Sequence, residues 1–226
     1  MTQPPRQARL VERVALCQTI SEFWFEAEAP LGQRPGQYIA IVDPTDANRT
    51  LPFSVASSPR TDGRFRLCLR RGQSPFLQYL FGTSLGSELL FVGPAGRFVL
   101  PDDGDHLLLV AVGTGITPFC GMREQLGQRL ARGDRVILLH GVAHVDELID
   151  ATAWHQLEQQ QRGFSYRPTL SRQRLDGYAT GRVTAHLPAV DGERRALLCG
   201  SEEMLTEVKA ALFAQGWQED QITTEW

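Results

Sequence analysis

A chain of 226 residues is long enough for one large or two modest domains and can hide about 70 to 75% of its unfolded surface, so disulfide or metal staples are unnecessary. Its 42% hydrophobic and 22% charged fractions exclude extended disorder and a fibrous fold, and the longest apolar run, Leu107 to Val112, is far short of the roughly 20 residues that span a bilayer. The net charge of -3 conceals a split in sign, because residues 1–101 carry 11 Arg against 8 acids and residues 102–226 carry 12 bases against 18 acids.

The opening stretch "MTQPPRQARLVERVALCQ" places charges inside its only apolar patch, which argues against a signal peptide. A cytoplasmic protein is expected, with no membrane segment and no nucleic-acid partner. Cys17, Cys68, Cys120 and Cys199 lie far apart, without the close spacing of an iron–sulfur or zinc site, so reduced thiols and no metal are expected. Cys17 and Cys68 fall in strand-like stretches and read as buried small hydrophobes.

From Leu10 to about Leu100 the chain reads as short strands: "VERVALCQTI", "FWFEAEA", "GQYIAIVD", "PFSVASSP", "RFRLCLR" and "SELLFVGP". Turn clusters such as "PLGQRPG", "DPTDAN" and "RTDG" separate them at the spacing of an antiparallel barrel or sandwich, and only "SPFLQYLFG" looks helical. In "RFRLCLRR", Arg64, Arg66 and Arg70 alternate with Phe65, Leu67 and Leu69, which predicts a basic stripe on one strand face. That stripe is either a solvated outer face or a docking surface for an acidic partner.

After "PDDGD" the period changes. The strand "HLLLVAV" precedes the helix "TPFCGMREQLGQRLARG", and the strand "RVILLHG" precedes the helix "VDELIDATAWHQLEQQQ". The strand "FSYRPTLS", a short helix near "RVTAHLPAV", the strand "ALLCG" and the helix "SEEMLTEVKAALFAQG" follow. Alternation of this kind predicts a parallel sheet covered on both faces. The expected fold is therefore two-domain: an antiparallel β-barrel over residues 1–101, then an α/β parallel-sheet domain over residues 102–226.

"GTGITP" sits at the carboxyl end of the first parallel strand, where open sheets bind ligands. Gly113 and Gly115 let the backbone turn sharply, Pro118 is tolerated in a first helical turn, and free amides at a helix start favour a pyrophosphate. The pattern is not G-x-G-x-x-G, and "LLHGVA" ends the second strand without an acid for a ribose hydroxyl. By itself the glycine pair is compatible with a dinucleotide site or a tight strand-to-helix turn. Phe53 and Ser54 read as either core and turn former or ring-binding pair. Ser74 reads as an ordinary helix cap or part of a phosphate cradle, and Cys199 as a core thiol or a site residue.

In chain order, "LPFSVASSP", "GPAGRF", "VGTGITP", "HGVAHVDEL", "LSR", "TGR", "LCGSEEM" and a terminal aromatic resemble the ferredoxin-NADP reductase family, particularly its bacterial ferredoxin and flavodoxin reductases. The resemblance spans nearly the whole chain from Leu10. It implies an FAD-binding barrel and an NADPH-binding α/β domain, with electrons passing to ferredoxin or flavodoxin from a monomer. The "LPFS" residues Pro52, Phe53 and Ser54 would hold the flavin, Phe53 by packing on the ring and Ser54 by hydrogen bonding near N5. Leu51 stands where the family's arginine meets the flavin pyrophosphate; Arg49, two residues earlier, is the candidate substitute. Gly72, Gln73 and Ser74 in "RRGQSPFL" would cradle a phosphate.

The same resemblance assigns Gly113, Thr114, Gly115 and Thr117 to the dinucleotide, and Ser171, Arg172 and Arg182 to the extra phosphate of NADPH. Ala143 replaces a further family arginine, with His144 a candidate replacement. Cys199 and Gly200 would lie beside the nicotinamide, Glu225 would relay protons, and Trp226 would cover the flavin until the coenzyme displaces it. Two other activities fit these motifs: an NAD(P)H:flavin reductase that releases reduced flavin, which Leu51 favours, and a non-catalytic flavin-binding subunit of a redox complex.

Overall fold

The computed structural model describes residues 4–44, 46–189, 192 and 194–225. Its backbone contacts group into two compact units, Met1–Val99 with Thr117–Met122, and Leu100–Ile116 with Arg123–Trp226.

The first unit is a six-stranded antiparallel sheet built from β1 (Arg6–Ala15), β2 (Ile20–Ala27), β3 (Tyr38–Asp43), β4 (Asp46–Ser54), β5 (Arg64–Arg70) and β6 (Glu88–Ala95), in the order β4-β3-β6-β1-β2-β5. Helix α1 (Pro75–Gly82) lies between β5 and β6 in sequence. Period-two alternation sends Phe23, Phe25 and Ala27 of β2 inward, where Phe25 stacks on Phe65 at 5.5 Å and Phe65 meets Phe91 at 5.6 Å. The sheet curls toward closure just past β4, where the Ala56 N–H donates to the Arg66 carbonyl at 2.8 Å.

That closure explains why the basic stripe expected on β5 does not form. Arg66 is only 8% exposed; its guanidinium donates to Glu22 at 2.6 Å and to the Ala56 carbonyl at 2.9 Å. Arg64 pairs with Glu12 at 3.5 Å and lies over Trp24, and Arg70 donates to the Thr19 hydroxyl. The register sets Glu22 opposite Cys68 and Trp24 opposite Arg66, so the cations of β5 are taken up by its own sheet. Two smaller differences concern the turns. Strand β4 begins at Asp46, inside the stretch expected to turn, and its register with β3 shifts between Val42 and Asp43. Cys68 is buried as expected, whereas Cys17 is half-buried in the bend joining β1 to β2.

The second unit is a six-stranded parallel sheet: β7 (His106–Val112), β8 (Arg135–Val142), β9 (Phe164–Leu170), β10 (Ala179–Thr180), β11 (Arg194–Cys199) and β12 (Ile222–Glu225), ordered β10-β9-β8-β7-β11-β12. Helices α2 (Thr117–Ala131), α3 (Ala151–Gln160) and α4 (Glu202–Ala214) connect them. The continuous burial of Leu107 through Ala111 on β7 is what a strand covered on both faces requires. Helix α3 starts six residues later than "VDELID" suggests: Val145–Glu147 is a single 3-10 turn, and Asp150, at φ 55°, redirects the chain while pairing with Arg123 at 2.8 Å. The edge strands β10 and β12 carry too few residues for a periodic signal and form because β9 and β11 present open edges. No helix among the described residues is long and apolar enough to cross a membrane, and no cluster of His, Cys, Asp or Glu among them has the makings of a metal site.

Candidate functional site

In the first unit the end of β4 presents Pro52 exposed and Phe53 and Ser54 half-buried. Leu51 and Phe53 pack on the barrel core, and the Phe53 ring lies parallel to Phe76 of α1 at 6.3 Å and 10°. This stack brings "LPFS" next to "RRGQSPFL" through two phenylalanines 23 residues apart in the chain. Ser74 caps α1 by accepting from the Leu77 N–H at 3.3 Å, and Pro75 has no N–H to give. Gln73 is exposed, and its carbonyl accepts from Gln78. The cap takes up the Leu77 N–H, so an anion at this helix start could be met only by the backbone of Gly72–Ser74 and the Phe76 amide. Arg49 is 53% exposed and reaches the buried Asp43 carboxylate at 3.7 Å. These residues fit a flat aromatic ring with an anionic tail: a backed aromatic face, a neighbouring hydroxyl, and one arginine held loosely enough to move.

In the second unit β7 runs into a 3-10 turn, Gly113–Ile116, and then α2, whose start at Ile116 has no side-chain cap. Gly113 has φ +58°, a conformation open to glycine at no steric cost. A Cβ on Gly115 would fall 2.2 Å from the Cys199 carbonyl oxygen, so the turn lies directly against the end of β11. There Cys199 pairs with Glu225 across β11 and β12, and the Gly200 N–H donates to the Glu225 carbonyl at 3.3 Å. The fold thus gathers Gly113, Thr114, Gly115, Cys199, Gly200 and Glu225 at one end of the sheet, with Thr117 buried at the start of α2. Burial, and after it the Glu225 carboxylate, push the Cys199 thiol up, so it stays protonated and is no nucleophile. Trp226 lies outside the described residues.

Ser171 donates through both its N–H and its hydroxyl to the Val142 carbonyl, and the Arg172 N–H donates to Ala143 at 3.1 Å. The Gly181 N–H donates to the Leu170 carbonyl, which sets Arg182 beside the same edge. Arg182 reaches Glu203 at 2.8 Å and Glu207 at 3.0 Å, and these carboxylates raise its pKa. Between β9 and β10 an open hollow is lined by Arg174, Leu175, Asp176, Gly177, Tyr178 and Thr180.

Two residues, one just past β8 and one within it, escaped sequence reasoning. Glu147 folds back so that its carboxylate accepts from the Ala143 N–H at 3.2 Å, which supplies an acid at the end of β8 where "LLHGVA" has none. His140 is fully buried, with Nε2 3.1 Å from the Gly113 carbonyl and Nδ1 3.2 Å from the Tyr166 hydroxyl. The one signal for it was a histidine inside the apolar run "RVILLHG". Desolvation lowers the His140 pKa to about 4 against the pull of the Gly113 carbonyl and Glu147. The unfolded chain protonates this ring near its ordinary 6.5, so acid draws the protein toward the unfolded state between those values. Stability of about 3 kcal/mol, full above pH 6.5, is expected to drain as pH falls to about 4. Urea unfolding at pH 7.5 and 4.5 checks this, because a His140→Phe protein should lose that part of the pH dependence.

Residues 7–100 match the oxidoreductase FAD-binding domain and residues 109–210 the oxidoreductase NAD-binding domain. The chain therefore joins a flavin-binding oxidoreductase domain to a pyridine-nucleotide-binding one. Its homologues include a ferredoxin-NADP reductase and related reductase components of oxygenase systems. The reductase subunit of an aromatic O-demethylase from Amycolatopsis sp. is 32% identical over 187 residues, 78% of this chain and 55% of that protein. A ferredoxin-NADP reductase from Pseudomonas aeruginosa is 26% identical over 205 residues, 81% of this chain and 79% of that one. A ferredoxin NADP+ reductase from Neisseria gonorrhoeae, solved with FAD and NADP bound, superposes with a TM-score of 0.84 at 20% identity over 98% of both chains, a likeness of fold. The chain spans about half the length of several of the curated relatives it matches, with 55% coverage of two of them.

Proposed function

We propose that this chain is an electron-transfer reductase that oxidises NADPH and delivers electrons singly to ferredoxin, flavodoxin or a similar one-electron protein acceptor. The observation that carries it is the Gly113–Ile116 turn at the carboxyl end of β7, so close to Cys199 that only glycine fits at 115. FAD, when bound, supplies the redox chemistry, taking a hydride from the nicotinamide and parting with its electrons one at a time. For the chain's own part, Phe53, backed by the buried Phe76, offers the ring a flat apolar support, and Ser54 offers a hydroxyl that donates or accepts. Arg49 and the amides around Gly72, Gln73 and Ser74 neutralise the phosphates. Protonated, compact Cys199 leaves the nicotinamide room to approach, and Glu225 beside it is placed to handle protons. Two relatives, the reductase subunit of an aromatic O-demethylase and the electron transfer component of a toluate 1,2-dioxygenase, support a protein acceptor. The test is direct: purified protein should be yellow, bleach with NADPH, and reduce ferricyanide in its presence. A colourless protein that leaves NADPH untouched after FAD is added would refute the reading.

The choice of NADPH rests on Ser171, Arg172 and Arg182. Glu203 and Glu207 compete with the coenzyme's phosphate for Arg182. A Glu203→Gln, Glu207→Gln double variant is therefore expected to raise kcat/KM for NADPH about fivefold, a modest gain because the pairs are exposed, with NADH changed less than about twofold. Steady-state rates with both coenzymes measure it, and a parallel change for both would show that Arg182 does not read the phosphate.

A second reading has its own observation. Leu51, on the barrel core, offers a pyrophosphate no charge, and Arg49 would have to leave Asp43 to do so, which would suit an enzyme that releases reduced flavin. Retention of flavin through gel filtration separates the two.

A further inference from the structure

We infer that His140 is a positioning residue for the coenzyme: from β8 it grips the Gly113 carbonyl and holds the Gly113–Ile116 turn in its binding conformation. This rests on the reading of that turn as the dinucleotide site. Gly113, in the left-handed region and without a side chain, has only its backbone by which it can be held. Gly115 is confined by the Cys199 carbonyl from the β11 side. His140 provides the matching restraint from the β8 side, so the turn is pinned at both glycines by strands on either side of β7.

The chemistry of the partners fixes the ring's state. A carbonyl oxygen only accepts, so Nε2 carries the proton and donates to Gly113; Nδ1 is then a lone pair, and the Tyr166 hydroxyl must donate to it. Tyr166 is itself held on β9, edge-on to His155 of α3 at 5.0 Å and 6.3 Å from Trp154. A fully buried histidine is costly unless both nitrogens are used, and here both are. A turn held in place before the coenzyme arrives loses less conformational freedom on binding, which is a gain in affinity and not in the chemical step.

The experiment measures KM and kcat for NADPH with ferricyanide, together with FAD content. His140→Leu is expected to raise KM about tenfold, the effect of one buried hydrogen bond, with kcat and FAD content within about twofold. His140→Gln, whose amide can still donate, should recover most of the loss. Should His140→Leu not fold, Tyr166→Phe is expected to raise KM about threefold at constant kcat, because the ring keeps its bond to Gly113 but loses its anchor. Ring nitrogen shifts in the wild-type NMR spectrum should show the Nε2–H tautomer. An unchanged KM in a folded His140→Leu protein, an Nδ1–H tautomer, or a parallel fall in kcat and FAD content would overturn the role. Wild-type protein that binds FAD yet neither binds nor oxidises NADPH would instead sink the functional reading and this role with it, whereas active wild type with unaltered variants sinks His140 alone.

Discussion

Arg66→Ala is expected to destabilise the first unit by about 3 to 5 kcal/mol, the cost of leaving one member of a buried ion pair without its partner. Glu22 is 14% exposed and bonded to Arg66 at 2.6 Å, and the same guanidinium holds the Ala56 carbonyl where the chain leaves β4 for the barrel closure. Removing it strands the Glu22 carboxylate and an acceptor together. Thermal unfolding reads this as a fall in Tm of roughly 6 to 20 °C for a chain of this size. Arg66→Lys, which keeps the charge but cannot reach both acceptors in one plane, should fall between. An Arg66→Met, Glu22→Leu pair should recover most of the loss, because a well-packed apolar pair often replaces a buried ion pair at little cost. An alanine variant with an unchanged midpoint would mean that the closure does not depend on this residue.

Gly115→Ala should cripple coenzyme use while leaving flavin binding intact. The added methyl would lie 2.2 Å from a backbone carbonyl, which no rotamer change relieves, so either the turn or the end of β11 must shift. A displacement near 1 Å at a site that orients reactants costs on the order of a hundredfold in rate, and overpacking adds about 1 to 3 kcal/mol of instability. kcat/KM for NADPH and the visible flavin spectrum, measured on the same sample, separate these effects. Gly127→Ala is the control, since nothing lies within 4 Å of its added methyl and the position is helical. It should stabilise by roughly 0.5 to 1 kcal/mol with full activity. If Gly115→Ala behaved like Gly127→Ala, the turn would not be the coenzyme's seat.

Much of the architecture was legible in the residues. Alternation in "FWFEAEA" places Phe23 and Phe25 inside, the unbroken run of β7 requires cover on both faces, and "GTGITP" marks the strand end where the two glycines are needed. The candidate site was legible as motifs but not as contacts. Phe53 could be singled out as a candidate, but not its partner Phe76, which arrives by way of α1. Arg182 could be singled out as a candidate, but not its partners Glu203 and Glu207, which α4 brings to it. Arg66 read as a surface cation because alternation reports which face of a strand a residue lies on, and says nothing of what covers that face.

The amino-acid order by itself determined the two sheets, their antiparallel and parallel characters, and the positions of the turns that glycine and proline impose. Those properties depend on neighbours two to four residues away, and so leave a periodic trace. Tertiary structure alone decided which polar groups are paired: Arg66 with Glu22, His140 between Gly113 and Tyr166, and Glu147 folded onto Ala143. It also decided whether an edge strand as short as β10 forms at all. A buried charge or ring nitrogen must find its partner wherever the fold provides one, and the physical cost of failing to do so acts through space rather than along the chain.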